Sequence, residues 1–358
     1  MNTIVLTGGG TGGHVIPALA LVPYLRKYFS NIYFAGEAGG VEETLAAKYG
    51  LPFLGAETIK FDRRRLLRNL AVPRVLHRSA EVMAAKLGEI GCGIVFSKGG
   101  YCALPTVLAA HRLGLPIVCH ESDRTLGLAN RLTLHYTDHL VTSFADTPKG
   151  TCIGNPIRDE ILRGDEGRVA LPMPQAPALL VVGGSMGAAF LNRTAAELAE
   201  RMTGWNVVNV YGKTPVPCAC VNYVGIPFTD RIADYYARCD VVLCRAGANT
   251  MFELAALGKP TVAVPLPKGT SRGDQVANAA YFAARYDGIT AIPQEKATTE
   301  TLVKAIEDKA GIRGRKRETS WGGGLPTDGS GRSGAKPAYA SPNAAIARYV
   351  YDVFLGSI

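Results

Sequence analysis

The sequence predicts an α/β protein built from two doubly wound parallel-sheet domains. Short apolar runs, which are typical of buried strands, alternate with helical patterns along most of the chain. A strand, a glycine-rich loop and a helix open the chain, and the same order starts again near residue 178. At 358 residues the chain exceeds one ordinary hydrophobic core, so two domains are expected.

The first half alternates strand-like and helical segments. The predicted strands are Thr3–Leu6, Asn31–Ala35, Gly93–Ser97, Pro116–Cys119 and His139–Thr142. The predicted helices are Pro17–Phe29, Val41–Lys48, Val75–Ile90, Pro105–Arg112 and Leu126–Leu134. Ligands of such sheets lie at the carboxyl ends of the strands. Three loops follow strands in this way, and they are Gly8–Gly13, Ser97–Tyr101 and His120–Asp123.

The second half repeats the pattern after a turn-rich junction at Thr151–Arg158. Its predicted strands are Ala178–Val182, Val207–Tyr211, Cys220–Val224, Val241–Cys244 and Thr261–Val264, and its predicted helices are Phe190–Met202, Arg231–Ala237, Thr250–Leu257 and Gln275–Arg285. We therefore expect domains at 1–155 and 156–310. A Gly-, Ser- and Lys/Arg-rich stretch at 311–341 is predicted to be a flexible linker, followed by a closing helix within 342–358.

The composition predicts a globular protein of the cytoplasm. Hydrophobic residues make up 47% and charged residues 19% of the chain, and no apolar run is long enough to span a bilayer. The N-terminus does not resemble a secretory signal. The eight cysteines mostly stand singly in apolar settings. The close pair Cys218 and Cys220 lacks the spacing of a metal site, so no metal site is predicted.

The net charge of +9 is concentrated in two stretches, residues 60–78 and 313–336. Without a nucleic-acid-binding motif, this charge favours an anionic membrane surface or phosphorylated ligands over nucleic acid. One basic stretch mixes apolar and cationic residues, namely Phe61, Arg63, Arg64, Arg65, Leu66 and Leu67. It is either a solvated basic face or a membrane patch that inserts apolar side chains while Arg meets anionic headgroups.

The opening glycine loop, Gly8–Gly13, carries glycine at every position except Thr11. Without side chains, its backbone N–H groups can approach a ligand, and the helix that follows favours anionic or strongly polar groups. His14 stands at the start of that helix, where an imidazole with an ordinary pKa near 6.5 could exchange a proton. The loop matches neither the dinucleotide fingerprint nor a Walker loop, and a simple tight turn is the alternative.

The second glycine loop, Gly183–Gly187, follows a buried strand and suits a phosphate, with Ser185 offering a hydroxyl. An ordinary strand-to-helix turn is the alternative. After another strand, Asn249 or Thr250 could cap a helix. Glu253 is then either a capping-box acid or a carboxylate that accepts hydrogen bonds from ribose hydroxyls.

Two further polar segments leave their function open. Gln275 and Asn278 lie on one predicted helical face and could hydrogen-bond a sugar, although a capped helix start explains them nearly as well. The segment His120–Asp123 places a base and two acids at a strand end. Such a pair of His and Glu is as often structural as functional.

Taken in this order, the motifs resemble those of the peptidoglycan glycosyltransferases of the MurG family. The matching segments extend to about residue 285 and are Gly8–Pro17, Ser97–Tyr101, His120–Glu121, Gly127–Asn130, Gly154–Arg158, Gly183–Ala188, Arg245–Glu253 and Asp274–Ala279. The resemblance implies the GT-B fold, in which two Rossmann-like domains face one another across a cleft and the C-terminal helix returns to the first domain.

The resemblance also implies a reaction. N-acetylglucosamine (GlcNAc) would pass from UDP-GlcNAc to the MurNAc of undecaprenyl-pyrophosphoryl-MurNAc-pentapeptide, converting lipid I to lipid II with inversion and without a metal or other cofactor. The enzyme would be peripheral on the cytoplasmic face of the cell membrane, with proteins of cell-wall synthesis as further candidate partners. The alternatives are another UDP-sugar glycolipid transferase, a UDP-GlcNAc epimerase, or a non-catalytic nucleotide-sugar-binding subunit.

By motif position, the resemblance assigns roles to individual residues. His14 is the expected general base, and Glu121 or Asp123 could share that role. The expected donor-binding residues are Thr11, Gly12, Gly13, Asp123, Arg158, Ser185, Thr229, Ala248, Asn249, Thr250, Glu253 and Gln275. Two residues depart from the family pattern. Asp123 stands in a His-Glu-Ser-Asp segment where His-Glu-Gln-Asn is common, and Met186 replaces a frequent Gln.

Overall fold

The computed structural model describes residues 2–60, 66–137, 139–184, 186–269, 273–312 and 341–357. The chain divides into two compact units. The first comprises Met1–Arg158 with Ser341–Ile358, and the second comprises Asp159–Ala340. The boundary thus follows Arg158, where the sequence predicted residue 155. Most of the predicted linker at 311–341 lies outside the described residues, apart from its first two positions and Ser341.

The first unit contains, within its described residues, a seven-stranded sheet in the order β3-β2-β1-β4-β5-β6-β7. Its strands are β1 Thr3–Thr7, β2 Asn31–Glu37, β3 Phe53–Ala56, β4 Ile94–Ser97, β5 Ile117–Glu121, β6 His139–Thr142 and β7 Thr151–Cys152. All its strand pairs are parallel. The helices up to the boundary are α1 Gly12–Leu19, α2 Val22–Leu25, α3 Val41–Lys48, α4 Val72–Glu89, α5 Leu104–Arg112 and α6 Leu128–Thr133.

The second unit contains, in its described part, a six-stranded parallel sheet in the order β10-β9-β8-β11-β12-β13. Its strands are β8 Ala178–Val182, β9 Asn206–Val210, β10 Tyr223–Ile226, β11 Val241–Cys244, β12 Thr261–Ala263 and β13 Ile289–Ala291. Its helices are α7 Ala189–Arg201, α8 Ile232–Arg238, α9 Ala248–Ala256, α10 Asp274–Ala283 and α11 Thr299–Ile312. The predicted α/β class with two parallel-sheet units is confirmed.

The central strands are buried along their whole length, as in β1 and β8. Helices cover both faces of a doubly wound sheet, so such strands read as continuous apolar runs. The closing helix α12, Asn343–Leu355, belongs to the first unit, where Ile346 and Val350 join the hydrophobic core. Asn343 anchors its start, because the side-chain amide accepts from Ile157 N at 3.1 Å and donates to Ile157 O at 2.7 Å.

Several elements differ from the prediction. The predicted helix Pro17–Phe29 is replaced by α1, which begins at Gly12, and the short α2. Pro17 has no N–H to continue the α1 hydrogen bonds, and α1 ends two residues later. The predicted strand Cys220–Val224 corresponds to β10, which begins three residues later, at Tyr223. None of the helices in the described part of the chain has the length and apolar character needed to cross a lipid bilayer.

Candidate active site

Each sheet has one point at which the strand order reverses. In the first unit it lies between β1 and β4, and in the second it lies between β8 and β11. Doubly wound sheets bind ligands at these switch points, beyond the carboxyl ends of the strands. The opening glycine loop follows β1, and the second glycine loop follows β8. Each unit therefore places a glycine-rich loop at the position where a ligand is expected.

The opening glycine loop packs directly against the loop that follows β4. Gly9 N donates to Gly99 O at 3.2 Å. Gly100 has a φ of +86°, and a Cβ built on it would lie 2.1 Å from Gly9 O, so only glycine fits there. Gly10 N donates to Oε1 of the buried Glu42 at 2.5 Å. These contacts fix the loop before any ligand binds.

Thr11 and His14 form the accessible end of this loop. Thr11 occupies the N-cap position of α1 with an extended backbone, φ −157° and ψ 155°. Its Oγ1 lies 3.2 Å from His14 Nδ1, and this contact orients the imidazole. Thr11 and Gly13 are exposed, whereas Gly12 and His14 are half-buried. The structure thus brings the predicted residues Thr11, Gly12, Gly13 and His14 together at one switch point.

His120 and Glu121 are both buried and hydrogen-bonded within the first unit. His120 is fully buried, and its Nε2 lies 2.9 Å from Gly154 O. Glu121 is 5% exposed and accepts hydrogen bonds from Asp123 N at 3.0 Å, Gly127 N at 2.8 Å and the Asn130 side chain at 2.9 Å. Both of its carboxylate oxygens therefore hold the turn that leads from β5 to α6. Asp123 remains half-buried beside it.

In the second unit, the turn from β8 to α7 depends on its glycines. Gly187 has a φ of +77°, and a Cβ on it would lie 1.9 Å from Tyr211 O. Ala188 occupies the N-cap position of α7 and has no side-chain acceptor. The first N–H groups of the helix can therefore bind an anion. Ser185 lies outside the described residues, and Met186 beside it is 57% exposed.

The helix that follows β11 starts earlier than predicted. Gly247 is the N-cap of α9, so Ala248, Asn249 and Thr250 form its first turn. The prediction that Asn249 or Thr250 caps the helix is therefore wrong. Glu253 lies in the second turn, three positions beyond the N3 position of a capping-box acid, and is 9% exposed.

Two matching domain models and one relative define the family of the chain. The N-terminal and C-terminal domains of glycosyltransferase family 28 match residues 4–142 and 178–318. A relative from Lachnospira eligens is 36% identical over 322 residues, which is 86% of this chain and 90% of the relative. It is named a UDP-N-acetylglucosamine--N-acetylmuramyl-(pentapeptide) pyrophosphoryl-undecaprenol N-acetylglucosamine transferase. The chain belongs to this transferase family.

Solved structures agree on the fold. Acinetobacter baumannii MurG superposes with a TM-score of 0.68 at 23% identity, covering 99% of this chain and 100% of that chain. A UDP-GlcNAc 2-epimerase from Neisseria meningitidis bound to UDP-GlcNAc gives a TM-score of 0.62 at 13% identity, with the same coverage. A transferase and an epimerase share this fold, so the fold alone does not distinguish the two reactions. The sequence relationship confirms the resemblance to the MurG family.

The other residues that were predicted to bind the donor or a sugar lie in separate segments of this transferase. Gln275, half-buried in the first turn of α10, accepts from Leu266 N at 3.0 Å through Oε1. Asn278 is fully buried and donates to Ala246 O at 3.3 Å, so it is a structural residue. Thr229 Oγ1 accepts from Arg231 N at 3.0 Å in the segment after β10. Arg158 is half-buried at the boundary of the first unit.

The predicted membrane patch is only partly covered by the structure. Phe61, Arg63, Arg64 and Arg65 lie outside the described residues. The backbone of Leu66 and Leu67 belongs to a 3₁₀ helix, Leu66–Ala71, that precedes α4. In the described part of the chain, no group of three or more His, Cys, Asp or Glu side chains is arranged to hold a metal ion.

Sequence reasoning did not assign a role to Arg245. It is 8% exposed, and its guanidinium donates to Val264 O at 3.0 Å and to Gln294 Oε1 at 2.7 Å. These bonds join the end of β11 to the segments that follow β12 and β13, and burial lowers the pKa of the guanidinium from its ordinary value. An arginine directly after a buried strand was the signal available in the sequence.

Proposed function

We propose that the protein transfers GlcNAc from UDP-GlcNAc to the MurNAc of undecaprenyl-pyrophosphoryl-MurNAc-pentapeptide, converting lipid I to lipid II with inversion. The observation that carries this proposal is the 36% identity to the Lachnospira eligens transferase over 86% of the chain. The two switch-point loops support it, because a transferase has to bind both a nucleotide-sugar donor and an acceptor.

The second unit would bind the donor. The uncapped start of α7 attracts the pyrophosphate, with Ser185 as its side-chain partner. The first turn of α9, Ala248–Thr250, offers further N–H groups, and Glu253 accepts hydrogen bonds from the ribose hydroxyls. Thr229 lies by the uracil. The amide of Gln275 contacts the sugar.

The first unit would supply the base. His14 donates a hydrogen bond from Nδ1–H to Thr11 Oγ1, which leaves the lone pair on Nε2 to accept a proton. The acceptor hydroxyl attacks the anomeric carbon as its proton passes to Nε2, and UDP leaves from the opposite face with the bonding electrons. The backbone of Gly12 and Gly13 lines this side of the site. Inversion follows from the single displacement.

We further propose that the reaction needs no metal ion. The N-terminus of α7 would balance the charge that develops on UDP, which is the task of a metal in other enzymes. We expect the transfer rate after EDTA treatment to stay within about twofold of the untreated rate. A loss of activity that Mg²⁺ or Mn²⁺ restores would contradict this proposal.

We also propose that the protein works as a peripheral protein on the cytoplasmic face of the membrane. The lipid-linked acceptor and the net charge of +9 favour an anionic membrane surface as a partner. Leu70, beside the predicted patch, is 78% exposed, and Arg74 and Arg78 in the adjoining turns of α4 are also exposed. Proteins of cell-wall synthesis are further candidate partners.

A transfer assay tests the reaction directly. Purified protein is incubated with UDP-GlcNAc labelled in the sugar, with and without a short-chain lipid I analogue. We expect the label to move to the lipid only when the analogue is present. Conversion of the donor to its 2-epimer, or release of UDP without labelled lipid, would overturn the proposal.

A further inference from the structure

The side chain of Lys98 is buried at the centre of the first unit's switch point. Lys98 follows β4 directly and is only 2% exposed. Its backbone N donates to Thr7 O at 2.8 Å. A Cβ built on Gly8 would lie 2.9 Å from Lys98 Cβ, so the opening glycine loop rests on this lysine.

The polar partners of Lys98 determine where each proton lies. Lys98 Nζ lies 2.7 Å from His120 Nδ1 and 2.5 Å from Ser122 Oγ. Because a carbonyl can only accept, His120 donates from Nε2 to Gly154 O, and its Nδ1 must accept from Lys98. Ser122 in turn donates to Asn155 Oδ1 at 3.0 Å. Lys98 is thus the first donor of two hydrogen-bonded chains of side chains, one through His120 to Gly154 O and one through Ser122 to Asn155.

The burial of Lys98 favours a neutral amine. Burial lowers the pKa of Lys98 to about 7, although the neighbouring carboxylates of Glu121 and Asp123 act in the opposite direction. Burial and the adjacent Lys98 hold the pKa of His120 well below its ordinary value, so His120 stays neutral. A neutral amine still has two N–H groups, which is the number its two acceptors require.

These chains link three parts of the unit. They connect the end of β4, which supports the opening glycine loop, with the polar turn Ser122–Asp123. They also reach the exit segment, Gly154–Arg158, through the Gly154 carbonyl and the Asn155 side chain. Lys98 itself is too buried to contact a substrate. Its effect on the reaction must therefore pass through the groups that it holds.

We propose that Lys98 is a positioning residue for the transfer reaction. Its ammonium or amine group holds the polar turn, and with it Asp123, in register with the opening glycine loop and His14. The inference rests on the proposed function, because it concerns the site that the acceptor and the sugar would share. Small displacements of positioned groups can cost up to about a hundredfold in rate.

Three variants test the proposal, each assayed for transfer and for UDP binding. Lys98→Met keeps the apolar stem but removes the donor, Lys98→Arg keeps a donor but adds volume, and Ser122→Ala removes one acceptor. We expect kcat to fall at least about tenfold in Lys98→Met and less in Lys98→Arg, while the KM for UDP-GlcNAc and UDP binding stay within about twofold. Lys86→Met is the control, because Lys86 donates to Gly55 O at 2.6 Å, away from the switch point.

A double mutant separates positioning from packing. If Lys98 and Ser122 act as one unit, Lys98→Met/Ser122→Ala should be no slower than Lys98→Met alone. A kcat within twofold of wild type for both Lys98→Met and Ser122→Ala would overturn the proposal. Lys98→Met retaining more activity than Lys98→Arg would also overturn it. If the wild type itself does not transfer GlcNAc, it is the proposed function that fails. Thermal unfolding above the assay temperature verifies that each variant is folded.

Discussion

At the scale of single residues, we propose that His14 carries the chemistry and that buried polar groups support the site. The contact of Thr11 Oγ1 with His14 Nδ1 orients the imidazole. Glu42 is buried and accepts from Gly10 N of the opening glycine loop, and Lys98 is buried and bonds to His120 and Ser122 at the end of β5. A buried polar group is retained at low cost only when it is hydrogen-bonded, so these residues should respond strongly to substitution.

The role of His14 predicts a selective loss of turnover. We expect His14→Ala to lower kcat by about 10²–10⁴, the usual contribution of a general base, with little change in the KM for UDP-GlcNAc. Thr11→Val should lower kcat less, because it removes only the group that orients the ring. The exposed His135 provides the control variant His135→Ala. Near-full turnover in His14→Ala would remove the base assignment.

Glu42 and Glu43 form a matched pair for stability. Each accepts a hydrogen bond from a glycine N–H, Glu42 from Gly10 at 2.5 Å and Glu43 from Gly39 at 2.8 Å, but only Glu42 is buried. We expect Glu42→Ala to lower the free energy of unfolding by about 1–3 kcal/mol, because Gly10 N loses its partner. Glu43→Ala should change it little. Equal effects in chemical denaturation would contradict the burial argument.

The pKa of Lys98 predicts how stability depends on pH. It is about 7 in the folded protein and near its ordinary value of 10.5 in the unfolded chain. Between these values the unfolded chain binds more protons, so the contribution of Lys98 to stability rises with pH, by up to about 1.4 kcal/mol per pH unit. The difference in unfolding free energy, wild type minus Lys98→Met, should therefore increase from pH 7.5 to 9.5. A constant or falling difference would show that Lys98 stays charged.

At the scale of elements, both candidate sites consist of a strand, a glycine-rich loop and the start of a helix. The loops differ in what their glycines do. In the first unit, Gly9 and Gly100 let two loops approach closely. In the second unit, Gly187 lets the turn before α7 pass the chain after β9, where Gly212 also has a positive φ of +69°. Glycine is thus required by close approach as well as by backbone angle.

Two glycines of the second loop separate these requirements. Gly187 and Gly184 both have positive φ values, +77° and +87°, but only Gly187 has a backbone atom in the place of a Cβ. We expect Gly187→Ala to lower the free energy of unfolding by at least about 2 kcal/mol and Gly184→Ala by about 1 kcal/mol. Thermal or chemical unfolding measures both. Equal losses would mean that the backbone angle, and not the contact with Tyr211, decides the choice of glycine.

The elements also show how far the sequence could predict the structure. Strands such as Ala178–Val182 were predictable because burial on both faces makes them uniformly apolar. β3 was missed because its residues are mostly half-buried at the edge of the sheet, so its sequence carries no such run. The predicted start of α9 was wrong because its N-cap is Gly247, which has no side chain that would mark a helix start in the sequence.

The candidate site was predictable in part. The glycine loops and His14 are local motifs, so the sequence identified them. The role of Lys98 depends on β4 and β5 being neighbours, which brings it to His120. A lysine after a strand is usually exposed, so its burial is a property of the tertiary structure. For the same reason, the engagement of Glu121 by Gly127 and Asn130 was not predictable from the sequence.

At the scale of the whole molecule, two units of similar architecture would divide one reaction, with the donor on the second unit and the base on the first. The closing helix α12 returns the end of the chain to the first unit. The net charge of +9 is consistent with this proposal, because the proposed acceptor is carried by a membrane lipid. Membrane binding should then depend on basic residues at the surface of the first unit.

The basic stretch at 61–67 predicts the membrane contact. Reversing Arg63, Arg64 and Arg65 to Glu should lower binding to phosphatidylglycerol vesicles at least about a hundredfold, since each basic residue contributes about 1 kcal/mol. Binding to phosphatidylcholine vesicles should be weak for both proteins. The control carries Glu at three exposed basic positions of the second unit, Arg193, Arg201 and Lys296. Unchanged sedimentation of the first variant with the vesicles would exclude this patch as the membrane contact.

The proposed reaction moves one GlcNAc to the lipid-linked acceptor with inversion for each UDP released. NMR spectroscopy of the product of a short-chain lipid I analogue, with UDP measured in parallel, tests both the linkage and the stoichiometry. We predict a new β-linked GlcNAc on MurNAc and equal amounts of disaccharide and UDP. An α-linked product, UDP in large excess over disaccharide, or an epimerised donor without disaccharide would contradict it.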